Sequence, residues 1–335
     1  MNIYEESGYL DVAGILALKQ PFNFIVGGRG DGKTFGALKY VLEHPEIGKF
    51  MLMRRTQAQA DLINKPELSP FKPVCEYLNV EIDTKPLSKY SAEFLRGDEI
   101  IGFTCALSTI ANMRGFDASD VTLLVFDEFC GEKHERPIKF EGDAFKNCYE
   151  TLNRNREFDG RPPLQVLCLA NAFNIANPIF MDMGLVGIAE RMRQRNQEVY
   201  INKERGIVLI LPRSEKIAEK KRDTALYRAT SSAFTDMALN NEFVYNPTDN
   251  ILSQPIHEYR PVCRVGDITI YKHKSIKKYY VSEFTTGDPE SFKTDEVEMK
   301  RFIKAYGRRL FQAYMNDNVI FENMYCKSLF EYYLV

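Results

Sequence analysis

The chain has 335 residues, of which 44% are hydrophobic and 12% aromatic, so its length and composition allow two domains with apolar cores. A formal net charge of −2 excludes a global basic field of the kind that attracts nucleic acid, and any such surface has to be local. No apolar run approaches membrane-spanning length, no signal peptide opens the chain, and the seven scattered cysteines include no CxxC pair, which favours a soluble, intracellular protein with free thiols.

The first predicted strand, Asn23–Val26, leads into a glycine-rich segment that completes a P-loop pattern, and residues 35–43 behind it have the pattern of a helix. In such a loop, backbone N–H groups face the β- and γ-phosphates of a nucleotide, the lysine adds positive charge, and the hydroxyl binds Mg²⁺. We therefore expect ATP and Mg²⁺ as cofactors. The alternative, a glycine-rich turn that matches by chance, is disfavoured by the flanking strand and helix. The loop consists of Gly27, Gly28, Arg29, Gly30, Asp31, Gly32, Lys33 and Thr34, with Thr34 expected at the metal.

A second apolar run, Val121–Phe126, has the continuous hydrophobic character of a buried strand in a parallel sheet, and it ends in Asp127 and Glu128. An acid at the carboxyl end of such a strand lies beside the P-loop, where Asp127 can hold Mg²⁺ through water. Glu128 points elsewhere and can polarise a water molecule toward the γ-phosphate. The pair favours hydrolysis over a nucleotide switch. The alternative is that both acids merely end a strand.

Strands alternate with helical patterns in the first part of the chain, which predicts a mostly parallel sheet with ligands at the carboxyl ends of its strands. Around Arg96-Gly97-Asp98, residues 92–95 and 99–103 predict a hairpin. The charged stretch Arg213–Arg228 predicts a linker helix or a hinge. Further strands are predicted at Phe50–Arg54, Ile100–Cys105, Gln165–Ala170 and Ile207–Leu211, an antiparallel meander at Tyr259–Arg264, Ile268–Lys272 and Lys278–Glu283, and helices near Thr294–Tyr306 and Arg308–Asn316.

Five motifs follow one another along the chain: residues 23–34, Met53-Arg54-Arg55, residues 125–129, residues 153–157 and residues 168–172. In this order they resemble the DNA encapsidation ATPases of small podoviruses of the phi29 group, and the resemblance covers most of the chain. It implies an α/β P-loop ATPase domain of the ASCE class (additional strand, conserved glutamate) over residues 1–205, followed by a linker or hinge over 206–230. It also implies a small α+β domain of RNase H-like fold over 231–335, which contacts DNA and has lost nuclease activity.

The resemblance further implies partners and a place of action. Five copies form a ring on the portal, or connector, of an empty procapsid in the host cytoplasm, and this ring drives double-stranded DNA inside. Whether a structural RNA joins motor and portal, and whether the isolated chain is a monomer, are left open.

The same resemblance implies roles for single residues. Asn171 is expected to sense the γ-phosphate or the attacking water, the alternative being an ordinary strand-end amide. Arg154 is expected to act as an arginine finger on the neighbouring subunit's nucleotide, with Arg156 as the second candidate and a solvated basic turn as the alternative. Other candidates for contact with a neighbouring subunit, the nucleotide or DNA, with surface salt bridging as the alternative, are Arg114, Arg54 and Arg55.

The C-terminal segment lacks an acid where nuclease chemistry requires one. Two-metal cleavage needs converging carboxylates, and the first strand of the meander has none, while Asp267 and Asp288 lie in turns. We therefore expect no nuclease activity, and we expect DNA contact to be electrostatic and independent of sequence. The candidate basic residues, for which a solvated face is the alternative, are Lys272, Lys274, Lys277 and Lys278 in the meander and Lys300, Arg301, Lys304, Arg308 and Arg309 in the final helices.

Two other classes of function stay open from sequence alone. One is a P-loop enzyme with a different task, such as a helicase-like translocase or a small-molecule kinase; a kinase predicts an arginine-rich lid and no stimulation by DNA. The other is a portal-associated structural protein that binds ATP without catalytic purpose, which predicts slow hydrolysis that is insensitive to Glu128→Gln.

Overall fold

The computed structural model describes residues 1–113, 118–131, 135, 138, 140–171, 177–229 and 250–334. These divide into two units, one of residues 1–182 and 191–229 and the other of residues 183–190 and 250–334. Among the helices of these residues, none has both the length and the apolar character needed to span a bilayer.

A mixed sheet forms the centre of the first unit. Its strands are β1 (Phe22–Gly27), β2 (Lys49–Arg54), β3 (Asp83–Pro86), β4 (Ala92–Arg96), β5 (Glu99–Ala106), β6 (Val121–Asp127), β7 (Gln165–Asn171), β8 (Val199–Asn202) and β9 (Ile207–Ile210). Their order is β3-β4-β5-β2-β6-β7-β1-β9-β8. Pairing is parallel from β5 to β9 and antiparallel at both edges, which confirms the predicted mostly parallel sheet and its β4–β5 hairpin. The pattern does not predict β3 and β8, since neither short edge strand has a buried residue.

Helices cover this sheet. Helix α2 (Lys33–Glu43), which matters most for the site, begins directly after the glycine-rich loop. This helix starts at Lys33, two residues before the predicted start, because Gly32 takes a left-handed conformation that turns the chain into it. The predicted linker stretch contains two short helices. The helices of the first unit are α1 (Val12–Leu16), α2 (Lys33–Glu43), α3 (Gln57–Ile63), α4 (Lys72–Leu78), α5 (Glu141–Asn153), α6 (Pro178–Asp182), α8 (Glu215–Arg222) and α9 (Ala225–Ala229). Helix α7 (Val186–Gln194) begins among the residues of the second unit and ends among those of the first.

Both faces of the central strands are buried. On one face, Ala37, Leu38 and Val41 of α2 join one hydrophobic cluster with strand residues such as Ile25 and Val125. Apolar side chains at this helical spacing place one side of α2 against the sheet. Aromatic rings cover the other face, with ring contacts between Phe24 and Phe129, Phe24 and Phe180, and Phe126 and Phe145. A strand buried on both faces needs a continuous apolar run, which is why β6 and β7 are recognisable in the sequence.

The second unit contains a five-stranded sheet. Its strands are β10 (Tyr259–Val265), β11 (Ile268–His273), β12 (Tyr279–Ser282), β13 (Glu290–Phe292) and β14 (Val319–Phe321), in the order β13-β10-β11-β12-β14. The antiparallel meander β10–β11–β12 is confirmed, and one parallel strand extends it at each edge. The two predicted final helices are α10 (Glu296–Phe302) and α11 (Arg308–Met315), joined by a π-helical turn, and they are followed by α12 (Met324–Leu334).

Candidate functional site

Four neighbouring strands end at one edge of the large sheet. Gly27 ends β1, Arg54 ends β2, Asp127 ends β6 and Asn171 ends β7. The register pairs Gly27 with Asn171, and Asp127 with Leu169, so the end of β7 separates the P-loop from the acidic pair by one strand. The predicted site residues of these strands therefore meet at the carboxyl edge, as parallel pairing requires.

The glycine-rich loop folds around the Lys33 ammonium. Its Nζ donates to the carbonyl oxygens of Gly27 at 3.1 Å and of Gly28 at 2.5 Å, while Gly30 and Gly32 adopt positive φ angles of 82° and 81°. These angles are accessible to glycine without strain. Burial lowers the pKa of Lys33 to about 8, although the carboxylates of Asp31 and Asp127 oppose that shift.

Thr34 and Asp127, which the sequence assigns to one metal ion, are in direct contact. The Thr34 hydroxyl donates to Oδ1 of Asp127 at 3.0 Å and lies 3.1 Å from Oδ2. The Asp127 carboxylate is buried. A hydroxyl oxygen and a carboxylate are the hard oxygen ligands that suit Mg²⁺, so these residues fit the ion that the motif implies.

Arg54 bridges the two acids that end and follow β6. Its Nη2 lies 2.8 Å from Oδ2 of Asp127, and its Nη1 lies 2.7 Å from Oε2 of Glu128. Glu128 has a positive φ of 57°, a conformation rare for a residue with a side chain and often found at functional sites. The two acids differ in exposure: Asp127 is buried, whereas the Glu128 side chain is 52% exposed. Of the roles that the sequence left open for Arg54, contact with the nucleotide site agrees with this geometry.

Arg55 points into the protein and serves a different purpose. Its Nε and Nη2 hold the two carboxylate oxygens of Glu141 at 2.5 and 3.0 Å, and its Nη1 lies 2.8 Å from Glu135. Since the Arg55 side chain is only 4% exposed, it is not available for contact with DNA. Glu141 is the first residue of α5, so its pairing with Arg55 fixes the start of that helix.

The two arginines after α5 differ sharply in environment. Arg156 is 4% exposed, and its guanidinium donates to the carbonyl oxygens of Ser119, at 2.8 Å, and Val121. Arg154 is exposed and has a positive φ of 48° in the turn that ends α5. Because Arg156 is held by the protein's own backbone, it is unsuited to the role of a finger, and Arg154 is the better placed of the two candidates. Arg114 and residues 172–176 after Asn171 lie outside the described residues.

The exposed turn lies at the amino ends of the parallel strands, whereas the nucleotide site lies at their carboxyl ends. Arg156 contacts the start of β6, and Asn153 accepts a hydrogen bond from the N–H of Leu164, the residue before β7. Asp127 ends β6 six residues later than Val121, which corresponds to roughly 20 Å along a strand. Arg154 is thus remote from the P-loop of its own subunit.

Comparison with known proteins decides the family. The model of the family described as Podovirus DNA encapsidation protein (Gp16) matches residues 4–257. The chain belongs to this family. The predicted resemblance is therefore confirmed, and with it the predicted function of a DNA-packaging ATPase.

Two relatives have been named as DNA packaging proteins. That of Bacillus phage B103 is 26% identical over 341 residues, covering 94% of this chain and 97% of the relative. That of Bacillus phage phi29 is 25% identical over 234 residues, covering 69% of this chain and 64% of the relative. The first match spans nearly the whole length of both proteins.

Solved structures share the fold. The Phi-28 gp11 DNA packaging motor aligns with a TM-score of 0.70 at 18% identity, covering 98% of this chain and 97% of that one. The N-terminal domain of the DNA packaging ATPase from bacteriophage phi29 aligns with a TM-score of 0.51 at 24% identity, covering 62% of this chain and 97% of that one.

We expect the affinity for MgATP to fall as the pH rises through about 8. Burial lowers the pKa of Lys33 to about 8 in the unliganded protein, and a bound polyphosphate favours the protonated form. Below this pH the lysine is already charged, whereas above it each binding event has to take up a proton. Isothermal titration calorimetry at pH 8, in two buffers of different ionisation enthalpy, should detect uptake of about half a proton.

The matched control is Lys33→Arg, which keeps its charge across this pH range. Proton uptake should disappear in that variant. Uptake that persists unchanged would assign the proton to another group and contradict the role of Lys33 in this effect.

Proposed function

We propose that this chain is an ASCE-class motor subunit that hydrolyses MgATP to move double-stranded DNA into a procapsid. The observation that carries the proposal is the convergence of Lys33, Thr34 with Asp127, and Glu128 at one sheet edge. The order β6-β7-β1 supports the ASCE class, since β7 is an additional strand between the P-loop strand and the acidic strand. The proposed ATPase domain covers residues 1–205. The proposed linker or hinge covers residues 206–230, although its first strand, β9, pairs with β1 in the sheet of the ATPase domain.

Each residue of the edge has a distinct proposed task. The N–H groups of residues 27–34 and the Lys33 ammonium bind the phosphates, and Thr34 and Asp127 hold Mg²⁺, Asp127 through water. When bound, the ion neutralises charge that develops on the phosphate oxygens. Glu128 orients and polarises the attacking water, and Asn171 contacts the γ-phosphate or that water.

The Arg54–Glu128 pair gives this site an inactive arrangement. One carboxylate oxygen of Glu128 is held by the Arg54 guanidinium at 2.7 Å, so Glu128 has to leave this partner before it can face the water. Asp127, the other partner of Arg54, would at the same time exchange part of its contacts for the metal shell. Binding of the nucleotide and rearrangement of Arg54 are therefore coupled in this proposal.

We expect Lys33→Ala to lose nucleotide binding, whereas Glu128→Gln keeps binding and loses hydrolysis. The reason is that Lys33 contributes charge to the phosphate cradle, while Glu128 contributes to water activation, which is typically worth about 10² to 10⁴ in rate. Fluorescent-nucleotide binding and phosphate release, with and without double-stranded DNA, measure the two effects separately. Glu150→Gln, an exposed position on α5, is the matched control and should behave as the wild type. Normal turnover in Glu128→Gln would remove this residue from the catalytic role.

The position of Arg154 supports action between subunits. It lies at the amino ends of the parallel strands, away from its own nucleotide site at their carboxyl ends. It can therefore contribute a charge only to the site of another copy. We propose a ring of five copies docked on the portal of the procapsid in the host cytoplasm, with Arg154 reaching the neighbour's γ-phosphate; a structural RNA partner is left open. A planar, permanently charged guanidinium suits the transferring phosphate.

We expect Arg154→Ala to abolish hydrolysis in the assembled ring, by on the order of 10³ or more, without weakening ATP binding. Mixing Arg154→Ala with Glu128→Gln subunits should restore part of the activity, because some interfaces then combine an intact Glu128 with an intact Arg154. Phosphate release at a series of mixing ratios measures this recovery. Arg161→Ala, an exposed arginine of the same turn, should keep full activity. Absence of recovery at every ratio, in rings shown to contain both variants, would contradict action across the interface.

Residues 231–335, which include most of the second unit, are proposed to be an RNase H-like domain that grips DNA without cutting it. Its first strand, β10, carries no carboxylate, and Asp267 accepts a hydrogen bond from the Tyr325 hydroxyl at 3.1 Å. The β11–β12 hairpin and the final helices are both candidates for DNA contact, since Lys304, Arg308 and Arg309 of those helices are exposed. Lys300 and Arg301 of α10 are paired with glutamates, which reduces the net charge they present. The exposed lysines around the hairpin are Lys272, Lys274 and Lys277.

We expect no nicking of supercoiled plasmid by the full chain in Mg²⁺ or Mn²⁺, because the acids required for two-metal cleavage do not converge on β10. Gel analysis of plasmid topology measures this. Reproducible nicking that disappears in Asp267→Asn or Asp288→Asn would show that the domain has kept a nuclease centre.

A further inference from the structure

Helix α8 is anchored to the P-loop through the first residues of the chain. Ser214 caps α8, and its hydroxyl also donates to the carbonyl oxygen of Gly8 at 2.7 Å. The Lys216 ammonium donates to the carbonyl oxygen of Glu6 at 3.2 Å. The same N-terminal turn binds the loop, since the N–H of Leu10 donates to the carbonyl oxygen of Asp31 at 3.1 Å. Because the N-terminal turn is bonded both to α8 and to the P-loop, these contacts fix the position of α8 relative to the loop.

One lysine occupies the inward face of α8. Ser214, Ile217 and Ala218 are buried, and Lys221 continues their spacing of i, i+3, i+4 and i+7 along the same side of the helix. Lys221 is half-buried, whereas its neighbour Lys220 is exposed. The charged composition of this stretch conceals the pattern, although the spacing is present in the sequence.

The Lys221 ammonium lies against the apex of the P-loop. A methyl group added at the Gly30 Cα would lie 2.6 Å from Nζ of Lys221 and 2.7 Å from its Cε. The ring of Tyr227, on α9, is centred 6.0 Å from the same nitrogen. The positive φ at position 30 favours glycine, and the absence of a side chain there leaves room for the Lys221 ammonium.

Charge around the loop favours a bound anion. Burial raises the pKa of the Asp31 carboxyl, and the charges of Lys33 and Lys221 oppose that shift. Burial likewise lowers the pKa of Lys221, with Asp31 opposing and Arg29 reinforcing the shift. Three cations, Arg29, Lys33 and Lys221, therefore act on a loop that contains one buried carboxylate. A polyphosphate would complete the balance.

We propose that Lys221 is a further phosphate-binding residue of the nucleotide site, supplied by α8 rather than by the P-loop itself. This inference rests on the proposed nucleotide site. Because α8 and α9 follow the last strand of the large sheet and precede β10 in the chain, Lys221 also makes this connecting segment sensitive to the presence of nucleotide. A contact of this kind adds a bond between α8 and the phosphates when they are bound and removes that bond when they leave.

The test compares Lys221→Met with Lys220→Met, the matched control on the exposed side of the same helix, and with Lys221→Arg, all in the full chain. We expect Lys221→Met to raise the Kd for MgATP about tenfold, the size of the loss when one charged hydrogen bond to phosphate is removed. Lys220→Met and Lys221→Arg should bind nearly as the wild type. Hydrogen exchange of residues 215–222 gives a second readout: MgATP should slow exchange there in the wild type and not in Lys221→Met.

Lys33→Ala, measured beside these variants, distinguishes failure of the proposed nucleotide site from failure of the proposed role of Lys221. If Lys33→Ala binds MgATP as well as the wild type, the proposed nucleotide site is wrong, and the role of Lys221 fails with it. If Lys33→Ala loses binding while Lys221→Met binds normally, only the role of Lys221 is wrong. An equal loss in Lys220→Met would show a general charge effect and overturn the proposal. If Lys221→Met does not fold, unchanged exchange of residues 215–222 on adding MgATP to the wild type would overturn it as well.

Discussion

Parallel hydrogen bonding between β2, β6, β7 and β1 is the constraint on which the candidate site depends. Parallel strands bring their carboxyl ends to one edge, so each of these four delivers its last residue to the same place. A slip of one residue would turn every side chain of a strand to the opposite face. Because both faces of the central strands are covered by apolar side chains, the register is held firmly, and Thr34 meets Asp127 across the intervening strand.

Burial sets the electrostatics at that edge. The charged side chains of Lys33, Arg54 and Asp127 are largely removed from water, and contacts with other protein groups replace their lost hydration. Lys33 contacts loop carbonyls, Arg54 contacts two acids, and Asp127 contacts both Thr34 and Arg54. A nucleotide with its metal ion would replace some of these bonds by new ones to the same side chains. The lowered pKa of Lys33 shows that the unliganded cradle only partly compensates its charge.

Two consecutive arginines, Arg54 and Arg55, have entirely different partners. Arg54 faces the acids of the site, while Arg55 holds Glu141 at the start of α5 in a buried two-point pair. Such a pair adds little net stability but is costly to break, so it fixes geometry. The thirteen residues of α5 span roughly 20 Å, and the turn with Arg154 follows its last residue. One helix therefore has one end near its own site and the other at the turn proposed to reach a neighbour.

The sequence by itself determined the central strands, the P-loop and the acidic pair, because continuous apolar runs and glycine spacing are local signals. It also predicted the β4–β5 hairpin and the meander. It did not separate Arg154 from Arg156, nor Arg54 from Arg55. Each of those pairs has one residue type in one local setting, and only packing decides which guanidinium is buried against backbone or carboxylate. Lys221 shows the same limit, since its position beside Gly30 depends on contacts between segments almost two hundred residues apart. Tertiary structure decides such contacts because they depend on where distant elements pack, and local patterns carry no record of that.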